Sequence, residues 1–447
     1  MPELLALAER IAAEAKGGEQ IEAFVAWSRE TDVRVYERDI ESLSSAESAG
    51  VGIRVVQGGR QGFSYVGDLD EGRAREALAE ARDNASFATP DENVGLAEPD
   101  GVAPPVLELW RGALVDHPTA DKIAAALELE RLVLAEDPRV RKVVSTDWGD
   151  GLAETAIATS TGLSATSRDT GCYLAVEAVA GEGDDTQTGS SYTVGRDQHE
   201  LDAAAAATDA VRRAVRLLGA RKPQSARLAV VLDRRVTATL LAVLASTLSG
   251  EEVAKGRSLF ANRLGEEVAI PAVTLVDDPT DPDAYGASMV DAEGLACRRT
   301  PLIEGGRLSA FLYDSYSARL AGARSTGSAV RAGFKSTPGV GARALSLVPG
   351  ERDFGAILAT VGSGLFVQSV SGVHSGVNRV SGDFSVGAEG LLIRDGALAE
   401  PVREITIAST IQRMLQHILE IGSDVERLPG SAMGVTLAVD DLAMSGE

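Results

Sequence analysis

The last third of the chain, residues 361–421, alternates short apolar runs with closely spaced glycines. Three of these runs, Leu365 to Val370, Gly390 to Ile393 and Glu404 to Ile407, have the length and residue types of strands. The glycines between them permit turn conformations that are closed to other residues. Because few side chains here are suited to catalysis, the segment predicts a β-rich platform rather than an active-site triad.

The rest of the chain predicts a mixture of helices and strands. Apolar residues recur at helical spacing over 4–16, 70–84, 120–135, 201–218, 234–250 and 408–421. Alternating residues predict strands near Val33 and Val51, and Gly58-Gly59 predicts a hairpin turn. The predicted fold class is α+β, with a mixed N-terminal domain at 1–222 and a β-rich C-terminal domain at 223–447 that holds a few helices. Lys222-Pro223 marks the predicted boundary.

Several long blocks resemble the TldD/PmbA family of peptidase-associated proteins. They are GVGIRVVQGGRQGFSYVGDL at 50–69, the tetrapeptide beginning at Asp291, LIEGGRLSAFLYDSYSARLAGARSTGSA at 302–329 and SGVNRVSGDFSVGAEGLLIRDGALAEPVREITIAS at 375–409. Since these blocks extend over almost the whole chain in order, the resemblance is specific.

The family has two kinds of member, and the resemblance distinguishes them. TldD-type members resemble zinc peptidases, with His-Glu-x-x-x-His on a helix and a cysteine ligand near the C-terminus. Residues about one turn apart share a helix face, so two imidazoles can bind one metal ion beside a glutamate base. Here the matching positions are Leu241, Ala242 and Ser246, and no cysteine follows Gly422. The chain therefore resembles the PmbA or TldE type.

The resemblance implies a non-catalytic subunit of an intracellular peptidase. Its partner would be a TldD-type paralogue that holds the zinc, so no cofactor or metal is expected in this chain. The heterodimer would enclose a chamber and cleave unfolded or leader-type peptides in extended form. Extended peptides can add to a sheet edge through main-chain hydrogen bonds, and the β-rich C-terminal region suits that role.

Three polar residues of the glycine-rich region are candidates for binding a peptide or the partner: His374, Asp383 and Ser385. His374 is predicted to lie in a loop, where binding residues are common. A serine, a histidine and an aspartate can also form a catalytic triad, but no Gly-x-Ser-x-Gly elbow accompanies them. Two alternatives therefore stay open, a metal-independent hydrolase that uses these residues and a peptide-binding homodimer without activity.

Charge and cysteine content limit the possible binding partners and the cellular compartment of the protein. The net charge of −23, without a run of Lys and Arg interleaved with aromatic residues, argues against nucleic-acid binding. Two cysteines, Cys172 and Cys297, do not make a disulfide framework, so a cytoplasmic location is expected. The N-terminal helix carries Glu3, Glu9 and Arg10, which is not the pattern of a signal peptide, and no membrane span is expected.

Two glycine pairs and the cysteines are given ordinary structural roles. Gly50-Val-Gly52 and Gly362-Ser-Gly364 do not lie between a strand and a helix, so we predict turns rather than a dinucleotide site. Cys172 is predicted to be a small buried residue. The arginines that follow Cys297 are of a kind that can lower a thiol pKa, but no base partner is evident.

Overall fold

The computed structural model describes residues 1–183 and 185–447. The first part of the chain builds one antiparallel six-stranded sheet in the order β3-β2-β1-β4-β5-β6. Its strands are β1 (Gln20–Tyr36), β2 (Asp39–Gln57), β3 (Arg60–Val66), β4 (Val140–Thr159), β5 (Ser164–Glu182) and β6 (Asp185–Gly195).

Helices cover one face of this sheet. They are α1 (Pro2–Ala12), α2 (Glu71–Phe87), α3 (Gly112–Val115), α4 (Thr119–Glu136) and α5 (Ala203–Val215), with a 3₁₀ turn at Gln198–Glu200. Ile21, Ala23 and Val25 of β1 pack against them in the buried core. Because side chains alternate along a strand, Glu22, Phe24 and Glu30 point to the opposite side, which we call the outer face.

A second six-stranded sheet organises the rest of the chain, in the order β16-β15-β14-β7-β18-β17. Its strands are β7 (Ala226–Leu232), β14 (Gly364–Ser371), β15 (Asp383–Arg394), β16 (Ala397–Thr410), β17 (Ile418–Ile421) and β18 (Leu437–Ser445). Six short strands form two smaller sheets: β8 (Leu275–Asp277), β9 (Thr300–Glu304), β10 (Arg307–Leu308), β11 (Ala329–Val330), β12 (Gly339–Val340) and β13 (Leu345–Leu347).

The helices of this second part are mostly short. They are α6 (Arg234–Thr247), α7 (Gly250–Ala254), α8 (Ser315–Ala321), α9 (Phe354–Val361), α10 (Val373–Gly376) and α11 (Ile411–Gln416). The longest, α6, follows β7 directly and shares one large apolar core with residues of the second sheet. The α+β class and the β-rich character of the C-terminal part are thus confirmed. No helix within 1–183 or 185–447 has the length and apolar character needed to cross a membrane.

Two local predictions were wrong. The helix predicted over 408–421 is confined to Ile411–Gln416, because Ile418–Ile421 pairs with β18 and tertiary pairing outweighs the helical spacing. Gly50 and Gly52 lie inside β2 rather than in a turn. The turn at Gly58-Gly59 is confirmed, and both glycines have positive φ. The domain boundary at residue 222 stays a prediction, although the first sheet ends at Gly195 and β7 begins at Ala226.

Candidate functional site

Helix α6 carries the three positions that the resemblance matches to the two histidines and the glutamate of TldD-type proteins. Asp233 caps its N-terminus by accepting a hydrogen bond from the Arg235 amide at 3.0 Å. Leu241 is 1% exposed and belongs to the apolar core. Ala242 is exposed, and Ser246 is half-buried with its hydroxyl donating to the Val243 carbonyl at 2.7 Å.

This set of side chains does not fit a zinc ion. Leucine and alanine have no donor atom, and the Ser246 hydroxyl is engaged with the helix backbone. In the segment after Gly422, Glu426 pairs with Arg234 of α6 at 2.9 Å. Within the part of the chain that the structure describes, no group of three or more His, Cys, Asp or Glu side chains is placed to hold a metal ion.

The three polar candidates of the glycine-rich region are exposed but are not linked to one another. His374 lies in the short helix α10, not in the predicted loop. Asp383 accepts a hydrogen bond from the Ser381 hydroxyl at 2.6 Å, and Ser385 is an exposed residue of β15. Among the residues described, no hydrogen bond joins His374 to Asp383 or Ser385. Their role in binding a peptide or partner stays a prediction.

One end of the outer face is closed by a segment of the second part of the chain. Phe334 packs with Phe24 and Ile157 of the sheet. A β-carbon at Gly50 would lie 2.4 Å from the Phe334 ring, and one at Gly52 would lie 2.2 Å from the Phe334 carbonyl oxygen. The two glycines therefore allow this segment to approach the strand closely.

A buried ion network holds the closed end together. Glu22 of β1 accepts hydrogen bonds from Arg54 of β2 at 2.6 Å and from Arg331. Arg331 lies near Phe334 in the segment that covers this end, which we call the docked segment. Arg54 also contacts Glu293 at 3.4 Å, and the Arg331 guanidinium lies 4.4 Å from the centre of the Phe24 ring. Burial opposes ionisation of Glu22, but the two arginines outweigh it and lower the pKa of its carboxyl.

The other end of the outer face is an open cleft. Its volume is about 330 Å³, and its walls are Ser28, Glu30 and Asp32 of β1, residues 149–153 of β4, Asp169, Gly171 and Tyr173 of β5, and Tyr285. A β-carbon at Gly151 would meet nothing within 4 Å. The cleft is thus open above Gly151, whereas the Tyr173 ring covers Gly149.

A second cleft of about 350 Å³ shares Asp169, Gly171 and Tyr285 with the first and is lined by Arg111, Arg196 and Arg427. The first cleft is acidic, whereas the second has mixed charge, because Arg427 pairs with Asp283 at 2.7 Å and Arg111 with Glu200 at 3.8 Å. The amine of an extended peptide has the charge that the acidic first cleft favours.

The two cysteines are buried and unreactive in character. Burial raises the pKa of the Cys172 thiol well above its ordinary value, which agrees with its predicted role as a small core residue. Burial also raises the pKa of Cys297 to about 12, so the idea that Arg298 lowers it is wrong. The Arg298 guanidinium instead pairs with Asp100 at 2.6 Å.

Reasoning from the sequence missed the outer face entirely. One signal was present, because Glu22 lies between Ile21 and Ala23 in an alternating strand and must face away from the helix-covered core. Gly50 and Gly52 were noticed, but their neighbour Phe334 is almost three hundred residues away in sequence. Spacing along the chain does not reveal such a contact.

Three family models match consecutive parts of the chain. The PmbA/TldA metallopeptidase domain 1 matches residues 21–85, the central domain matches residues 113–218 and the C-terminal domain matches residues 225–446. The first two models divide the N-terminal sheet between β1–β3 and β4–β6.

Individual proteins are similar over the full length. Metalloprotease PmbA of Escherichia coli O157:H7 is 27% identical over 441 residues, which is 98% of this chain and 95% of that protein. The crystal structure of a candidate modulator of a DNA gyrase from Thermotoga maritima has a TM-score of 0.90 at 25% identity, covering 98% of this chain and 99% of that chain. TldE from Thermococcus kodakarensis has the same fold, with a TM-score of 0.89 at 22% identity and full coverage of both chains.

Proposed function

Because the chain belongs to the PmbA/TldD metallopeptidase family, we propose that it is the non-catalytic, PmbA- or TldE-type subunit of a cytoplasmic zinc metallopeptidase. One observation supports this most directly: the chain keeps the family fold over its whole length, while Leu241, Ala242 and Ser246 carry no usable zinc ligand. The zinc and the catalytic base would then come from a TldD-type paralogue in a heterodimer.

The contribution of this chain is to bind and orient the peptide. The open cleft is acidic and adjoins a second cleft lined by both arginines and carboxylates, and these polar walls can hold an extended chain without recognising one sequence. Unfolded or leader-type peptides fit because their chains can lie extended along the two clefts. His374, Asp383 and Ser385 are exposed on the second sheet and its adjoining helix, where they are available to the peptide or to the partner.

The test uses this chain and its zinc-bearing paralogue, purified separately and then mixed. We expect this chain alone to hold no stoichiometric zinc and to leave unstructured peptides intact, since it lacks the ligand set. The mixture should co-elute as one species in size exclusion and cleave peptides in a chelator-sensitive manner. Obligate interfaces of this kind bury more than about 2,000 Å².

Other outcomes would replace the proposal. A paralogue that is equally active by itself removes the need for this subunit. Chelator-resistant cleavage by this chain alone supports the metal-independent hydrolase, and His374→Ala should then reduce activity by about a thousandfold or more, the scale for a triad member. In the proposed pair, His374→Ala should reduce cleavage only modestly.

A further inference from the structure

Strand β2 extends well beyond its outer neighbour in the N-terminal sheet. β3 pairs with β2 only over Val51–Gln57, whereas β2 begins at Asp39. Residues 39–48 are exposed, and in the described chain only β1 lies beside them. We call residues 41–49 the free edge.

Hairpin geometry identifies which backbone groups point outward from the free edge. Gly58 and Gly59, with φ of 57° and 72°, form a two-residue turn between Gln57 and Arg60. In such a turn the flanking residues are a hydrogen-bonded pair, so odd-numbered residues of β2 bond on the β3 side. Along the free edge, where β3 is absent, the outward N–H and C=O groups belong to Leu43, Ser45, Glu47 and Ala49.

The free edge has some features that usually protect an exposed strand, namely acidic side chains and a register shift where it begins opposite Arg34 and Val35, but it lacks others. Residues 39–49 contain no proline and no lysine, and most of their side chains are small: Ser42, Ser44, Ser45, Ala46, Ser48 and Ala49. Two apolar side chains are nevertheless exposed, Ile40 at 43% and Leu43 at 47%. An edge of this kind can accept another extended chain through main-chain hydrogen bonds.

The charge of the free edge favours a basic occupant. Asp39 and Glu41 lie on this stretch without any lysine or arginine among residues 39–49, whereas Glu47 lies on the face of Leu43 and accepts a hydrogen bond from the Trp27 indole at 2.5 Å. Glu30 and Asp32 of the neighbouring strand β1 add negative charge on the outer face. A second copy of this chain, with a net charge of −23, would bring the same carboxylates and be repelled.

We propose that the free edge binds an extended peptide of about seven residues by strand addition, with lysine or arginine at every second position. The basic side chains lie on the outer face, toward Glu30 and Asp32, and the alternating side chains lie beside Leu43. That this peptide is a substrate of the peptidase rests on the proposed function. Its binding to the free edge needs neither zinc nor the paralogue. This strand belongs to the first sheet, not to the C-terminal region expected from the sequence.

The experiment measures fluorescence anisotropy of a labelled heptapeptide, Lys-Val-Lys-Val-Lys-Val-Lys, titrated with this chain alone. Ser45→Pro removes one outward N–H but no hydrogen bond to β1, because Ser45 bonds on the free side. We expect Ser45→Pro to weaken binding by about tenfold or more, and Ser45→Ala, which keeps the N–H, to bind within about twofold of the wild type. Circular dichroism should show both variants folded.

Two further peptides distinguish the contribution of backbone hydrogen bonds to binding from the contribution of charge. Methylation of alternate backbone nitrogens on the edge-facing side should abolish binding, and replacement of the lysines by glutamates should weaken it by about tenfold or more. Equal binding of the methylated and unmodified peptides would overturn strand addition. A second result would also overturn the proposal: the wild type self-associates, Ser45→Pro abolishes this self-association, and no peptide binds. The free edge would then bind a second copy of the chain.

The result is independent of the proposed peptidase. If the mixture with the paralogue fails to cleave while the heptapeptide binds the free edge, the proposed function fails and this inference stands. If the mixture cleaves but Ser45→Pro binds the heptapeptide as well as Ser45→Ala does, the proposed function stands and this inference fails.

Discussion

The two ends of the outer face of the N-terminal sheet differ sharply, although the same strand runs through both. Glu22 and Glu30 lie on the same side of β1, eight residues apart. Glu22 is fully buried between Arg54 and Arg331, whereas Glu30 is exposed in the cleft. The difference comes from the second part of the chain, which covers one end and leaves the other free.

The comparison shows that one sheet can combine a tightly packed end with an open one. At the closed end, charged and aromatic groups from distant parts of the chain are fixed by mutual contacts. At the open end, Gly151 leaves space in the cleft, and the carboxylates of Glu30 and Asp32 are exposed. Substitutions should therefore affect folding at the closed end and binding at the open end.

The largest expected effect is that of Glu22→Ala. Removing this carboxylate leaves Arg54 and Arg331 buried without their shared partner, which should lower the free energy of unfolding by about 3–5 kcal/mol. Glu30→Ala, on the same strand and face, should change it by less than about 0.5 kcal/mol. Urea unfolding of both variants checks this contrast, which would be lost if the two values were similar.

Glycine substitutions provide a second, smaller contrast. In Gly52→Ala the new methyl group would meet the Phe334 carbonyl oxygen at 2.2 Å, so the docked segment must shift, at a cost of about 1–3 kcal/mol. Gly151→Ala, at the open end, meets no atom within 4 Å and should leave stability unchanged or slightly higher. Thermal unfolding of the two variants measures the difference. A destabilised Gly151→Ala protein would mean that the open end is packed.

The smallest expected effect is a pH dependence at the closed end. Burial and the nearby Glu293 raise the pKa of the Asp291 carboxyl to about 7, well above its ordinary value of 3.8. A raised carboxyl pKa contributes stability that is fully present below the unfolded value and is lost as pH rises through the folded value. The wild type should therefore lose about 1 kcal/mol relative to Asp291→Asn between pH 6 and pH 8. A difference that does not vary over this range, in urea unfolding, would contradict the assignment.

Much of the fold was predictable because it follows from local patterns. The helices over Glu71–Phe87 and Thr119–Glu136 carry regular apolar spacing, and the turn at Gly58-Gly59 carries its two glycines. The segment Ile418–Ile421 was mispredicted as helix because its side chains fit either period, and only its pairing with β18 decides between them.

The candidate site was less predictable because its parts come from distant segments. The absence of ligands at Leu241, Ala242 and Ser246 could be read directly from the resemblance. The partners of Glu22 could not, since Arg331 is 309 residues away. The free edge of β2 could not be predicted either, because it depends on where β3 stops rather than on the residues of β2 alone.

The burial of Leu241 also bears on whether this protein could regain chemistry. A histidine at this position would replace a core hydrocarbon side chain by an imidazole among apolar neighbours. The cost would be several kcal/mol, which is a large fraction of the free energy of unfolding of a typical domain. Introducing metal donors one at a time would thus destabilise the chain before any metal ion could offset the loss. Packing therefore makes a zinc site at these positions of α6 hard to build.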